Sequence, residues 1–149
     1  MRVMFDTNAF NDLIKGSYAL VKKNSNQYFC TNLQKAEIQR TANTELRELL
    51  INGFQVIQTR AEIEQLPQHS TPWSSPWGSP WDRDGEHYDQ ILAELEKKKR
   101  KDRGNSYDAV IIETCIYEQL VFVSGDRAAR EVAQQFGVNA MTLETFLKL

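Results

Sequence analysis

The sequence is poor in the residues that bind metals through sulfur or imidazole. Its 149 residues include two cysteines and two histidines. Cys30 and Cys115 lie far apart in apolar surroundings, so we predict buried free thiols in a reducing compartment rather than a disulfide or a metal pair. His69 and His87 have no partner at ligand spacing, which argues against a zinc site.

Long apolar segments are also lacking. No run of apolar residues approaches the length of a membrane span, and the N-terminus has the pattern of a strand rather than of a signal peptide. We therefore expect no membrane partner and a cytoplasmic location. A hydrophobic content of 41%, a charged content of 26% and a net charge of −2 are typical of an ordinary globular chain, predicted here as a single domain over 1–149.

Proline is confined to one stretch. All four prolines and all three tryptophans lie within 67–85, where a Pro-Trp pair recurs every four residues. Proline at that spacing forbids a helix and predicts a turn-rich or polyproline-like loop inserted into the domain. The tryptophans could stack on unpaired bases or anchor a protein partner. The interpretation we favour is that they fold back over the domain's own apolar surface.

Outside that loop, apolar strands alternate with helical patterns. Such alternation predicts an α/β domain with three α/β/α layers and a mainly parallel sheet of about five strands. Gly53 is predicted to end the second helix as its C′ residue. The predicted strands are 3–5, 28–31, 54–57, 120–123 and 138–141, and the predicted helices are 8–15, 33–51, about 86–101, 106–118, 127–136 and 143–147.

Four acidic residues accompany these elements. Asp6 and Asp126 each follow an apolar strand, and Glu37 lies in the second turn of the helix after 28–31. Because parallel strands end at the same edge of a sheet, these three can converge there, where open α/β sheets bind ligands. Asp108 lies in the first turn of a later helix and joins them if its chain returns to that edge.

Each acid also fits an ordinary structural role. Asp6 and Asp126 could simply cap helices, Asp108 could favour a helix dipole, and Glu37 could pair with Arg40 on a helix surface. Four carboxylates together, however, repel one another unless a cation compensates. Oxygen ligands without histidine or thiolate suit Mg²⁺ or Mn²⁺.

The order of these motifs resembles the PIN domain, a family of nucleases that includes the VapC-type toxins of many bacterial toxin–antitoxin pairs. The resemblance covers nearly the whole chain, although the Pro-Trp loop departs from the compact toxin pattern. The segments that carry it are Asp6-Thr7-Asn8, Ala36-Glu37-Ile38, Asn105-Ser106-Tyr107-Asp108-Ala109 and Ser124-Gly125-Asp126.

The resemblance implies metal-dependent endoribonuclease activity, the hydrolysis of phosphodiester bonds in RNA. One or two Mg²⁺ or Mn²⁺ ions would generate the attacking hydroxide and neutralise charge on the scissile phosphate. It further implies an RNA substrate, an antitoxin or other protein partner, and a homodimer. The implied catalytic and metal-binding residues are Asp6, Glu37, Asp108 and Asp126, and the polar residues that orient these ligands or their waters are Thr7, Asn8, Asn105 and Ser124.

A basic run precedes Asp108. Within 97–103, six of seven residues are basic. The run could hold the RNA backbone beside the metals, or it could be a solvated helix end, and the sequence leaves both open. The residues predicted to bind RNA are Lys97, Lys98, Lys99, Arg100, Lys101 and Arg103.

Two other functions compete with the nuclease. A catalytically inactive PIN-like scaffold could bind RNA or protein through the basic run and the tryptophan loop, although the intact acids argue against it. A phosphatase of the haloacid-dehalogenase type would use Asp6 and Asp126. It would require an acid two residues after the first aspartate, where this chain has Asn8, and it leaves Glu37 unexplained. The sequence contains no P-loop and no Ser/His/Asp or Cys/His arrangement.

Overall fold

A computed structural model of the protein describes residues 1–16, 26–68 and 87–149. Within these ranges the chain forms one five-stranded parallel sheet in the order β3-β2-β1-β4-β5, with seven helices. The α/β prediction is therefore confirmed. The strands are β1 (Arg2–Phe5), β2 (Gln27–Cys30), β3 (Glu64–Gln65), β4 (Val121–Val123) and β5 (Ala140–Met141), and the helices are α1 (Thr7–Lys15), α2 (Asn32–Gln39), α3 (Thr44–Arg60), α4 (Tyr88–Lys98), α5 (Arg103–Glu118), α6 (Arg127–Gln135) and α7 (Leu143–Leu147).

Both faces of the sheet are covered. Successive side chains of a strand point to opposite faces, and the central strand β1 contributes to two separate apolar clusters. Met4 packs in one cluster with residues of α4, α5 and α6. Val3 and Phe5 pack in the other with residues of α1, α3 and α7. The central residues of β1, β2 and β4 are apolar because they are buried on both faces of the sheet, as in other parallel sheets.

The helix predicted over 33–51 is wrong in its extent. The structure has two helices there, α2 and α3, separated by a turn over 40–43. Asn43 begins α3, since its side-chain oxygen accepts a hydrogen bond from the Leu46 N–H at 2.9 Å. An asparagine in this role is a common helix start.

The strand predicted over 54–57 is also wrong, because α3 continues to Arg60. Leu50, Phe54, Ile57 and Ala61 are buried, and their spacing of four, three and four residues is helical. Gly53 lies inside the helix instead of ending it. A Cβ atom at position 53 would lie 2.5 Å from the Ile14 Cγ2, so this glycine permits the close approach of α1 and α3.

We predict that Gly53→Ala destabilises the protein. Alanine should gain up to about 1 kcal/mol in helix propensity, but overpacking against Ile14 should cost about 1–3 kcal/mol. The expected net loss in the free energy of unfolding is about 1–2 kcal/mol, measured by denaturant unfolding. The same substitution in an Ile14→Ala background should be neutral or stabilising. Equal effects in the two backgrounds would contradict the steric explanation.

Three further predictions concern the cysteines, membrane-spanning helices and the Pro-Trp repeat. Cys30 and Cys115 are both buried free thiols. No helix in the described ranges is long and apolar enough to cross a membrane. The Pro-Trp repeat predicted as a loop falls within 69–86, outside the described residues.

Candidate metal centre

Two of the acids lie at the ends of neighbouring strands. Asp6 follows β1 and Asp126 lies three residues beyond β4, and the two strands pair in parallel with Phe5 opposite Val123. The Asp6 N–H donates to the Val123 carbonyl at 3.1 Å. Both aspartates also cap helices: Asp6 Oδ1 accepts from the Ala9 N–H at 2.7 Å, and Asp126 Oδ1 accepts from the Ala129 N–H at 3.2 Å. Each of these two aspartates therefore both caps a helix and lies at the edge of the sheet.

Ser124 joins these two acids. Its hydroxyl donates to Asp6 Oδ2 and accepts a hydrogen bond from the Asp126 N–H at 3.0 Å. The side chain is fully buried. It therefore fixes the Asp6 carboxylate relative to the chain that carries Asp126.

Glu37 reaches the same edge because α2 is attached to β1. At the start of α2, Thr31 and Gln34 form a capping box. The buried Gln34 also donates from Nε2 to the Phe5 carbonyl at 2.9 Å, one residue before Asp6. One turn later, Glu37 Oε1 accepts a hydrogen bond from the Thr7 hydroxyl at 2.8 Å. Arg40, the partner suggested for Glu37 by the sequence, has its guanidinium 4.8 Å from the centre of the Tyr107 ring, and its charge opposes the rise in the pKa of Glu37 that burial causes.

Asp108 joins the cluster from α5. Its Oδ2 and that of Asp126 both contact the Lys99 Nζ, at 2.9 and 2.5 Å. Burial raises the pKa of Asp6 and of Glu37, and the charge of Asp108 adds to that effect. The chain therefore does return to this edge after α4. The structure brings together all four acids that the sequence singled out.

Burial dominates the electrostatics of this cluster. It raises the pKa of Asp6 to about 7, an effect opposed by the hydrogen bonds from Ser124 and Ala9 and reinforced by the other aspartates. Burial likewise raises the pKa of Glu37 to about 7, against the hydrogen bond from Thr7. The cause is general, since a buried carboxylate loses its hydration and neighbouring negative charges add to the cost.

Lys99 contacts two of the four acids, Asp108 and Asp126. Its Nζ lies 2.9 Å from Asp108 Oδ2 and 2.5 Å from Asp126 Oδ2. Burial still raises the pKa of Asp108 despite this lysine. For Asp126, burial is outweighed by the hydrogen bond and charge of Lys99, so its pKa falls below the usual value. The sequence predicted Lys99 as an RNA contact and missed this role.

The rest of the basic run is largely paired with acids of the chain itself. Lys97 contacts Glu94 at 2.9 Å, Lys98 contacts Glu131 at 3.2 Å and Lys101 lies 4.0 Å from Glu96. Arg100 and Arg103 are exposed.

The predicted orienting residues differ in their surroundings. Thr7 and Ser124 donate to carboxylates of the cluster, whereas Asn8 is exposed. Asn105 is buried and donates from Nδ2 to the Arg100 carbonyl at 3.0 Å, so it contacts the turn beside Lys99 instead of an acid. Sequence reasoning missed Gln34, although threonine followed three residues later by glutamine is a recognisable helix start.

The donors fit a hard divalent cation in chemistry and charge. All are carboxylate oxygens, and the raised pKa values of Asp6 and Glu37 show that added positive charge would be favourable. Within the described ranges, no group of three His, Cys, Asp or Glu side chains is arranged to hold a metal ion. Mg²⁺ does not need such a cage, because it commonly binds through one or two carboxylates together with waters and substrate phosphates.

Comparison with known proteins supports the fold. No family model matches the chain, and no curated protein matches it. A solved PilT N-terminus domain protein from the hyperthermophilic archaeon Sulfolobus solfataricus P2 is similar over 99% of this chain and 92% of its own, with 15% identity and a TM-score of 0.55. FitAcB from Neisseria gonorrhoeae is similar over 97% of this chain and 99% of its own, with 14% identity and a TM-score of 0.49. The likeness to the Sulfolobus protein shows that this chain has the fold of a PilT N-terminus (PIN) domain.

Proposed function

We propose that this protein is an endoribonuclease that depends on Mg²⁺ or Mn²⁺. The observation that carries the proposal is the convergence of Asp6, Glu37, Asp108 and Asp126 at one edge of a PIN-type sheet. Asp6 is buried and the other three are partly buried, and carboxylates placed this close together repel one another unless a cation compensates. A site of this kind suits phosphodiester hydrolysis, in which negative charge grows on a phosphate.

The chain's own groups would prepare the centre. Carboxylates of this cluster would hold the metal together with waters, and Thr7 and Ser124 would keep Glu37 and Asp6 oriented through hydroxyl hydrogen bonds. Such supporting contacts typically matter by about 10–100-fold in metal affinity or activity. When bound, the ion would supply activation of a water and neutralise charge on the scissile phosphate and the leaving oxygen.

The proposal is tested with purified protein and a panel of structured and unstructured RNAs, beside DNA of the same sequences. Cutting of RNA with Mg²⁺ or Mn²⁺, and none with EDTA, is the expected result. Cutting of DNA alone would overturn the substrate assignment. RNA or protein binding without cleavage would favour the inactive scaffold. Copurification from the native source would show whether an antitoxin-like partner or a second copy binds.

The exposed arginines of the basic run are proposed to hold the RNA backbone. Lys97, Lys98 and Lys101 engage acids of the chain, but surface pairs of this kind are worth only about 0–1 kcal/mol and can exchange for phosphate. Arg100 and Arg103 are exposed at the turn that follows Lys99.

We predict that the double variant Arg100→Ala/Arg103→Ala weakens RNA binding about tenfold. The slope of log affinity against log salt should fall by about 2, because each lost phosphate contact removes about 1. Filter binding over a salt series measures both quantities. The control is Arg60→Ala/Lys148→Ala, which removes two other basic side chains in the last turn of α3 and after α7. An equal effect of both double variants would show that only net charge matters.

A further inference from the structure

Lys99 makes the closest contacts of a cation to the acidic cluster. Its Nζ lies between the Asp108 and Asp126 carboxylates, at 2.9 and 2.5 Å from their Oδ2 atoms. The three side chains are only 24%, 17% and 25% exposed. This arrangement is therefore more shielded from water than the ion pair between Lys148 and Glu144, whose side chains are 74% and 79% exposed.

The backbone around Lys99 is fixed on both sides. Its N–H donates to the Leu95 carbonyl at 3.0 Å at the end of α4. The next carbonyl, that of Arg100, accepts from the buried Asn105 side chain of α5. Asp102 caps α5 by accepting from the Gly104 N–H at 3.2 Å. The turn that carries the lysine is thus attached to both flanking helices, so the ammonium group is held at this position by the fold.

The ammonium group occupies the place where an ion bridging Asp108 and Asp126 would bind. Such an ion would lie about 2.0–2.2 Å from the same two oxygens, which is incompatible with a second cation at its present distance from them. Both Asp126 oxygens are already engaged, one by Lys99 and one by the Ala129 N–H. Both Asp6 oxygens are engaged as well, by the Ala9 N–H and the Ser124 hydroxyl. By contrast, the described part of the chain records no hydrogen bond to Glu37 Oε2 or to Asp108 Oδ1.

We propose that the Lys99 ammonium replaces a second divalent ion, so that the centre binds one ion through Glu37 and Asp108, beside Asp6. Lys99 then supplies the second positive charge beside Asp126. The inference rests on the proposed metal-dependent function, and it fixes a property that the function leaves open, the number of ions per chain. Lys99 is here a positioning residue that acts through the acids it contacts.

The test is a count of bound Mn²⁺ per chain, from the depletion of the free-ion EPR signal, in the wild type, Lys99→Met and Lys148→Met. Methionine keeps an unbranched side chain, one atom shorter than that of lysine, and removes its charge. Lys99→Met should bind one Mn²⁺ more than the wild type, with spin coupling between the two ions. Lys148→Met removes an ion-paired lysine elsewhere and should leave the count unchanged. Lys99→Gln serves as a second neutral variant where the methionine variant does not fold.

The difference between the counts decides the role of Lys99. Counts of one in the wild type and two in the neutral variants support it. A wild-type count of zero overturns the one-ion centre and removes the metal from the proposed function. Equal counts in the wild type and in the neutral variants overturn the replacement, as do two coupled ions in the wild type. RNA cleavage by a wild type with two ions would leave the nuclease proposal intact, so the two failures are distinguishable.

Discussion

Replacing Asp6 with asparagine is expected to reduce metal-dependent RNA cleavage by at least about 10²–10³-fold. Asp6 is 3% exposed and contacts both the start of α1 and Ser124. Asparagine retains an oxygen for the helix cap but carries no charge, so it would bind a divalent ion far more weakly. Removal of a single electrostatic group at a reacting centre commonly costs a factor of this size. Initial cleavage rates at saturating Mg²⁺ or Mn²⁺ measure the effect.

The matched control is Glu144→Gln, which neutralises an exposed acid on α7. It should cleave at the wild-type rate. A wild-type rate for Asp6→Asn would exclude this carboxylate from the proposed centre. Isothermal titration with Mn²⁺ on the same two variants would show whether a lost rate reflects lost metal binding.

The same Asp6→Asn variant is expected to be more stable than the wild type without metal at neutral pH. The pKa of Asp6 is about 7 in the folded protein against an ordinary value of 3.8. The folded state therefore binds the proton more tightly than the unfolded state, and ionisation of Asp6 weakens the fold as pH rises from about 4 to about 7. At about 1.4 kcal/mol per pKa unit, the penalty above pH 7 is on the order of 4 kcal/mol.

Asparagine avoids this penalty and remains a good N-cap. The gain in the free energy of unfolding should accordingly be close to zero near pH 4, grow between pH 4 and 7, and be constant above. Urea unfolding in EDTA across this pH range measures it. Asp102→Asn, at the exposed N-cap of α5, is the matched control and should change stability by less than about 0.5 kcal/mol. A gain independent of pH would contradict the electrostatic explanation.

These two results together separate function from folding. A variant that loses cleavage while it gains stability cannot have lost activity by unfolding. Active sites commonly retain charged groups whose burial is unfavourable, and removal of such a group exchanges activity for stability. Added Mg²⁺ should reduce the difference in stability between the wild type and the variant, because an ion that binds the folded wild type stabilises it.

Most of the fold could be predicted from the sequence because its strands and helices have clear local patterns of apolar residues. Six of the seven helices were predicted with small errors at their ends or as part of a longer segment, and four of the five strands were found. The segment 54–57 was mistaken for a strand because it is short and rich in β-branched and aromatic residues. The helical spacing of its buried residues, Phe54 and Ile57, becomes evident only when Leu50 and Ala61 are included.

The third strand could not have been found in this way. Glu64 and Gln65 are both exposed, and their local sequence has no strand pattern. They form a strand because they lie beside Phe29 and Cys30 of β2 and pair with them. The role of Gly53 could not be predicted from the sequence either. A glycine is required there because Ile14 of another helix lies so close to it.

For the candidate site, the sequence by itself determined which acids follow strands and begin helices, since a residue's position relative to a strand end is a local property. Asp6, Glu37 and Asp126 could be placed at one edge on that basis. The tertiary structure decided that α5 brings Asp108 to them and that Lys99 lies between Asp108 and Asp126. The physical reason is that these contacts depend on the turn between α4 and α5 and on how both helices pack. A run of basic residues does not indicate which of its side chains will point toward the acids in the folded protein.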